Sequence, residues 1–164
     1  MDAELYGLAG KVGDALKARK LMLATAESCT GGWVGQVVTM VPGSSQWFDR
    51  GFVTYTNDAK RAMLGVRKET LKKFGAVSEQ TVREMVDGAL SHSKAQVVLA
   101  VSGIAGPDGG SPERPVGTVC LAWGMRRGAP ARSAIRHYSG DRDAVRRQSV
   151  ITALEGVLAL LGEP

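Results

Sequence analysis

Apolar residues recur at helical spacing at the start of the chain, where Leu5, Leu8, Val12 and Leu16 predict an amphipathic helix over about residues 3–18. The run Leu21 to Ala26 is short, apolar and followed by glycine-rich sequence, as a buried strand would be. Val34, Val37, Val38 and Val41 then mark the inner stripe of a helix over about 30–40, ended by Pro42-Gly43. Gly51 to Thr56 alternates apolar and polar residues as a strand does, and Asn57 or Asp58 is placed to cap a short helix through Leu64. After a helical piece near 67–74, Ser78 stands at an N-cap position ahead of Val82, Met85, Val86, Ala89 and Leu90. Val97 to Val101 is a near-continuous apolar strand that runs into a glycine- and proline-rich loop at 102–115. Two more strands, about 116–124 and 131–138, flank the turn-prone Arg127-Gly128-Ala129-Pro130 and predict an antiparallel hairpin. The last helix, about 142–161, has Val145, Gln148, Ile151, Leu154, Leu158 and Leu161 as its expected inner face.

Helices that separate the early strands favour crossover connections and parallel pairing, while the late hairpin adds antiparallel strands. The expected fold is therefore α/β, a mixed, partly parallel sheet sandwiched between helices, in one domain over residues 1–164. Composition agrees: at 164 residues, 44% hydrophobic and 23% charged, the chain has enough apolar surface to build a core, which excludes intrinsic disorder. No apolar run approaches the roughly 20 residues of a membrane span, and Met1 to Lys11 lacks a basic region followed by an apolar stretch. Two cysteines outside any C-x-x-C pair fit a reducing setting, so the expectation is a cytoplasmic protein without a membrane partner.

The net charge of +5 is local, because residues 125–147 hold seven arginines against Asp141 and Asp143, leaving the rest of the chain neutral. Guanidinium groups match phosphate or carboxylate oxygens two at a time, although a solvated strand and helix face would carry the same residues. No aromatic-interleaved basic motif accompanies the cluster, so nucleic acid is not an expected partner.

The segment Glu27-Ser28-Cys29-Thr30-Gly31-Gly32 joins a buried strand to a helix, where a serine can stand exposed at the sheet edge and free N–H groups can meet an oxyanion. Capping of the helix by Ser28 or Thr30 would use the same residues. The chain lacks the G-x-x-x-x-G-K-[ST], G-x-G-x-x-G and G-x-S-x-G patterns. A serine nucleophile needs a base, and of the two histidines only His137 could serve a triad. Lys60 is the other choice, provided its pKa is lowered by the positive end of its helix and by Arg61, against the pull of Asp58. Tyr55 could relay a proton between Lys60 and the serine; the Tyr55-x-x-x-x-Lys60 spacing is one residue longer than the pair of short-chain reductases. Ser102-Gly103-Ile104-Ala105-Gly106-Pro107-Asp108-Gly109-Gly110 follows the central strand with small residues that let a ligand near the backbone. Gly140-Asp141-Arg142-Asp143 opens the last helix, with Arg142 able to grip a phosphate. No His, Cys or carboxylate cluster has metal-ligand spacing.

Taken together, Glu-Ser-Cys-Thr-Gly-Gly at 27–32, Tyr-Thr-Asn-Asp-Ala-Lys at 55–60, Gly-Ala-Val-Ser at 75–78, Ser-Gly-Ile-Ala-Gly-Pro-Asp-Gly-Gly at 102–110 and Gly-Asp-Arg at 140–142 resemble the CinA C-terminal domain family in its stand-alone form, across roughly residues 5–161. The resemblance implies a three-layer α/β/α sandwich, a homodimer or higher homo-oligomer, and hydrolysis of nicotinamide mononucleotide to nicotinic acid mononucleotide and ammonia in bacterial pyridine-nucleotide salvage. It implies no metal and no organic cofactor. Ser28 would be the nucleophile, Lys60 its base and Tyr55 the helper. Ser102, Gly103, Ala105, Gly106 and Arg142 would line the substrate site, and backbone N–H groups of Thr30, Gly31 and Gly32 would hold the oxyanion. Cys29 as nucleophile, or a non-catalytic nucleotide-binding module of the same fold, are the alternatives. The chain has no room for the N-terminal domain that longer relatives carry, so the pyrophosphatase chemistry of that domain does not transfer.

Overall fold

The computed structural model describes residues 1–163. Asp2 caps the first helix, α1 (Ala3–Ala18), by accepting a hydrogen bond from the Leu5 N–H, and the helix buries Leu5, Ala9, Val12 and Leu16. The strands are β1 (Leu23–Glu27), β2 (Phe48–Val53), β3 (Val97–Gly103), β4 (Thr118–Met125) and β5 (Arg132–His137). They form one sheet in the order β2-β1-β3-β4-β5. β1 pairs parallel with both neighbours, and β3 to β4 and β4 to β5 are antiparallel. The sheet is mixed in the way the crossovers and the late hairpin predict.

The remaining helices are α2 (Trp33–Thr39), α3 (Asn57–Leu64), α4 (Lys68–Phe74), α5 (Glu79–Ser91) and α6 (Arg142–Leu160). Alternation along each strand sends side chains to two separate cores. Leu23, Val97, Leu99, Val101, Val119 and Leu121 meet α1, α2 and α6, whereas Ala24, Ala26, Val98, Ala100, Cys120 and Ala122 meet α3, α4 and α5. The result is three layers, and no helix among the described residues is long and apolar enough to cross a membrane.

Several expectations shift. β2 begins at Phe48 rather than at Gly51, because its register against β1 pairs Leu23 with Phe48 and Glu27 with Val53. The chain has left the sheet by Thr56, which caps α3 in place of Asn57 or Asp58 by accepting from the Ala59 N–H at 3.0 Å. α2 starts three residues later than periodicity suggests, since Gly31 and Gly32 hold left-handed conformations (φ 60° and 102°) that a continuing helix excludes. β3 extends through Ser102 and Gly103, paired with Cys120 and Val119, so the loop begins later. The inner face of α6 buries Val145, Leu154 and Leu158 as expected, with Ser149, Val150, Ala153 and Val157 beside them, while Gln148, Ile151 and Leu161 are half-buried and the Gln148 amide donates to the Ser139 and Ala144 carbonyls. Contact with both α1 and the sheet widens the buried stripe beyond what one row of large residues marks.

Candidate active site

β1, β2 and β3 end side by side, and at that carboxyl edge the parallel strands leave a cleft of about 220 Å³. Ser28 is the first residue past β1, held by its N–H donating to the Val101 carbonyl at 3.0 Å, and it is 7% exposed. Lys60 comes from the first turns of α3 and is 1% exposed. Its Nζ lies 2.9 Å from Ser28 Oγ, 3.0 Å from the Thr54 carbonyl and 3.4 Å from the Tyr55 carbonyl. Those three partners satisfy an ammonium group completely. They also suit the neutral amine, whose two N–H bonds would go to the carbonyls and whose lone pair would accept from the serine hydroxyl.

Among the described residues no carboxylate pairs with Lys60. Burial removes water from its charged form and lowers its pKa from the ordinary value of 10.5. Desolvation, rather than the helix dipole or Arg61 set against Asp58, is the main cause of that shift. Cys29 is governed by the same effect in the opposite sense: burial raises its thiol to about 11, so at neutral pH it is a poor nucleophile.

Tyr55 enters the site in two ways. Its carbonyl touches both Lys60 Nζ and Ser28 Oγ, while its side chain is 56% exposed and its hydroxyl accepts from Arg142 at 2.9 Å. The other arm of Arg142 donates to the Gly106 carbonyl at 2.8 Å, so the guanidinium bridges the β2–α3 and β3–β4 connections at the cleft. Asp141 caps α6 beneath it by accepting from the Ala144 N–H. Ser102, Gly103 and Ala105 line the same cleft, together with Asn57 and Val77.

The 30–32 turn differs from the simplest picture of an open helix N-terminus. The Gly31 N–H donates back to the Ser28 carbonyl at 3.0 Å, and Thr30 is buried with its hydroxyl donating to Glu27 Oε1 at 2.6 Å. The Glu27 carboxylate also accepts from the Val34 and Gly35 N–H groups at 2.9 and 3.0 Å, so the first turn of α2 already holds an anion from the protein itself. Pattern reasoning missed Glu27, whose signal was an acid closing an otherwise apolar strand. It also missed Arg146, one helical turn past Arg142, whose Nε and terminal nitrogen donate to the Cys29 and Thr30 carbonyls at 3.0 and 3.1 Å.

Two expectations do not gather here. His137 lies on β5, three strands from β1 and thus roughly 14 Å away at about 4.8 Å per strand, which removes the serine–histidine triad. The arginine cluster does not converge either: Arg126 binds the Leu90, Ser93 and Ala95 carbonyls, and Arg147 pairs with Asp2. Only Arg142 and Arg146 reach the Ser28 neighbourhood among the cluster's hydrogen-bonded members.

The family described as CinA C-terminal domain matches residues 5–161. The chain is 56% identical over 154 residues to the nicotinamide-nucleotide amidohydrolase PncC of Escherichia coli K12, covering 94% of this chain and 93% of that protein. It is 52% identical over 153 residues to the protein of the same name from Pseudomonas putida, covering 93% and 94%. Among solved structures, the competence/damage inducible protein CihA from Agrobacterium tumefaciens superposes with a TM-score of 0.94 at 48% identity, over 99% of this chain and 98% of that one.

Proposed function

The chain belongs to the CinA C-terminal domain family, and from that premise we propose that it is a nicotinamide-nucleotide amidohydrolase converting nicotinamide mononucleotide and water to nicotinic acid mononucleotide and ammonia through a Ser28 acyl-enzyme. The observation that carries the mechanism is the buried contact of 2.9 Å between Lys60 Nζ and Ser28 Oγ. In its neutral form Lys60 takes the hydroxyl proton directly, and Ser28 Oγ attacks the carboxamide carbon. The negative oxygen that forms is held by backbone N–H groups of the 28–32 turn other than those of Ser28 and Gly31, which already donate to carbonyls, each worth about 3 kcal/mol in the transition state. Protonated Lys60 then gives its proton to the departing nitrogen, the C–N bond breaks and ammonia leaves. Water attacks the ester, Lys60 again takes a proton, and as the C–O bond breaks Lys60 returns that proton to Ser28 Oγ, restoring the serine hydroxyl and the neutral amine.

Arg142 stands at the cleft to receive the 5′-phosphate by exchanging Tyr55 and Gly106 for phosphate oxygens, with Ser102, Gly103, Ala105 and Gly106 beside the substrate. The cleft of about 220 Å³ is smaller than the ~300–1,000 Å³ that encloses a drug-sized ligand, which suits it to the reacting end of a nucleotide whose phosphate stays near the rim. Tyr55 supports the dyad through its carbonyl and Arg142 through its hydroxyl. No step requires a metal or an organic cofactor. The same reading includes self-association into a homodimer or larger assembly, a cytoplasmic setting, and a place in pyridine-nucleotide salvage.

Ammonia release from nicotinamide mononucleotide tests the reaction. Wild type should turn over, Ser28→Ala should lose at least about 10³-fold in kcat, and Cys29→Ala should stay within about threefold of wild type. Loss confined to the cysteine variant would overturn the assignment of the nucleophile, and saturable binding without ammonia from wild type would leave a nucleotide-binding module.

A further inference from the structure

Arg146 is half-buried on α6, outside the cleft lining, yet it holds the turn that carries the nucleophile. Its guanidinium stacks on the Trp33 ring at 5.4 Å, which fixes it over the first residue of α2. From there it donates to the carbonyls of Cys29 and Thr30. A planar trans peptide sends its carbonyl and the next N–H in opposite directions. Drawing the Thr30 carbonyl toward Arg146 therefore turns the Gly31 N–H away from it, and that N–H donates to the Ser28 carbonyl at 3.0 Å. The Ser28 carbonyl belongs in turn to the peptide whose N–H is that of Cys29, the residue after the nucleophile and part of the cleft wall. Among the described residues no backbone carbonyl or neighbouring carboxylate accepts from the Cys29 N–H.

The chain of contacts is thus guanidinium, Thr30 carbonyl, Gly31 N–H, Ser28 carbonyl, Cys29 N–H. A cation at one end of linked amides polarises each one and strengthens the donor at the other end. Glu27 also braces the turn, through Thr30 and the first turn of α2, which restricts rotation of its peptides. Gly31 suits this arrangement: its φ of 60° disfavours a side chain.

For the amidohydrolase reaction set out above, on which this step rests, we propose that Arg146 is a positioning residue that orients and polarises a two-peptide relay ending at the Cys29 N–H, the donor that holds the carboxamide oxyanion. Arg146 touches no reacting atom. Its contribution belongs to the transition state, in which the oxygen carries charge, and is small in the ground-state complex. Arg142, one turn earlier on the same helix, contributes to binding instead.

The test is steady-state ammonia release with nicotinamide mononucleotide and with its riboside, on Arg146→Met, Arg146→Lys, Arg146→Ala with added guanidinium, and Arg142→Ala. Arg146→Met keeps bulk over Trp33 and should lower kcat about 10- to 100-fold for both substrates with KM within about threefold, since displacing a catalytic group by about 1 Å costs on that order. Arg146→Lys, which keeps the charge and serves if the methionine variant does not fold, should lie between it and wild type. Guanidinium should restore part of kcat to Arg146→Ala. Arg142→Ala should raise KM for the nucleotide far more than for the riboside. A rise in KM at unchanged kcat in Arg146→Met, kcat within threefold of wild type, or a loss that follows the folded fraction and ignores guanidinium would overturn the proposal while leaving the amidohydrolase in place. Wild type that releases no ammonia would remove both.

Discussion

At the scale of single residues, the site depends on one amine being kept from water. Lys60 has its full set of hydrogen-bond partners but no counter-charge among the described residues, and burial depresses its pKa below 10.5. Two consequences have the same sign. Activity should rise with pH along a limb set by deprotonation of Lys60, at lower pH than an exposed lysine would give. The contribution of Lys60 to stability should rise with pH over the same window, between the depressed folded value and the ordinary unfolded value near 10.4, because there the unfolded lysine holds its proton and the folded one does not. Lys60→Met should abolish turnover by at least about 10³-fold and flatten that rise in stability, measured by urea denaturation at a series of pH values. Ser28, Lys60 and Arg142 were legible in the chain as candidates only: their types and positions admit this chemistry but equally admit a helix cap, a surface lysine and a solvated arginine, and the family resemblance selected between them. Tyr55 was legible as a member of the site, but its carbonyl's contact with the dyad was not, since a main-chain oxygen leaves no mark in the letters.

At the scale of elements, the dyad is only as well placed as α3, which lies on α5 through a close contact. A methyl group at Gly88 would collide with the backbone carbonyl of Leu64, the last residue of α3. Because a backbone atom cannot rotate aside, Gly88→Ala should cost about 1–3 kcal/mol of stability. It should also lower kcat about 10-fold or more by shifting Lys60 against Ser28, although Gly88 contributes nothing to the cleft lining. Thermal denaturation and ammonia release on the same preparation check both parts; full activity at reduced stability would mean that α3 adjusts without moving its lysine. Helix and strand existence followed from periodicity, but cap identity and strand ends did not. Thr56, Asn57 and Asp58 are all competent caps in isolation, and the β1–β2 register decides which of them meets the helix start.

Across the whole molecule, burial shifts several groups that titrate at the alkaline end, lowering Lys60 and raising Cys29, Cys120 and Tyr138, with opposing effects. Burial raises Cys29 and Cys120 from 9.0 to about 11, so above pH 9 the unfolded chain loses thiol protons first and their contribution to stability falls as pH rises toward 11. Lys60 acts in the opposite sense. Relative to wild type, Cys29→Ala combined with Cys120→Ala should therefore shift the slope of stability against pH upward between about pH 9 and 11; an unchanged slope in that variant would assign it to other groups. The sequence by itself determined the α/β class, the mixed sheet and the set of polar residues near the strand ends, because periodicity and turn chemistry are local properties of neighbouring positions. Only the tertiary structure decided that residues 28 and 60 share a proton-sized gap, that His137 stands three strands away, that Arg126 and Arg147 bind elsewhere, and that Arg146 reaches the Ser28 turn. Those outcomes depend on strand order and on burial, and both arise from how distant segments pack.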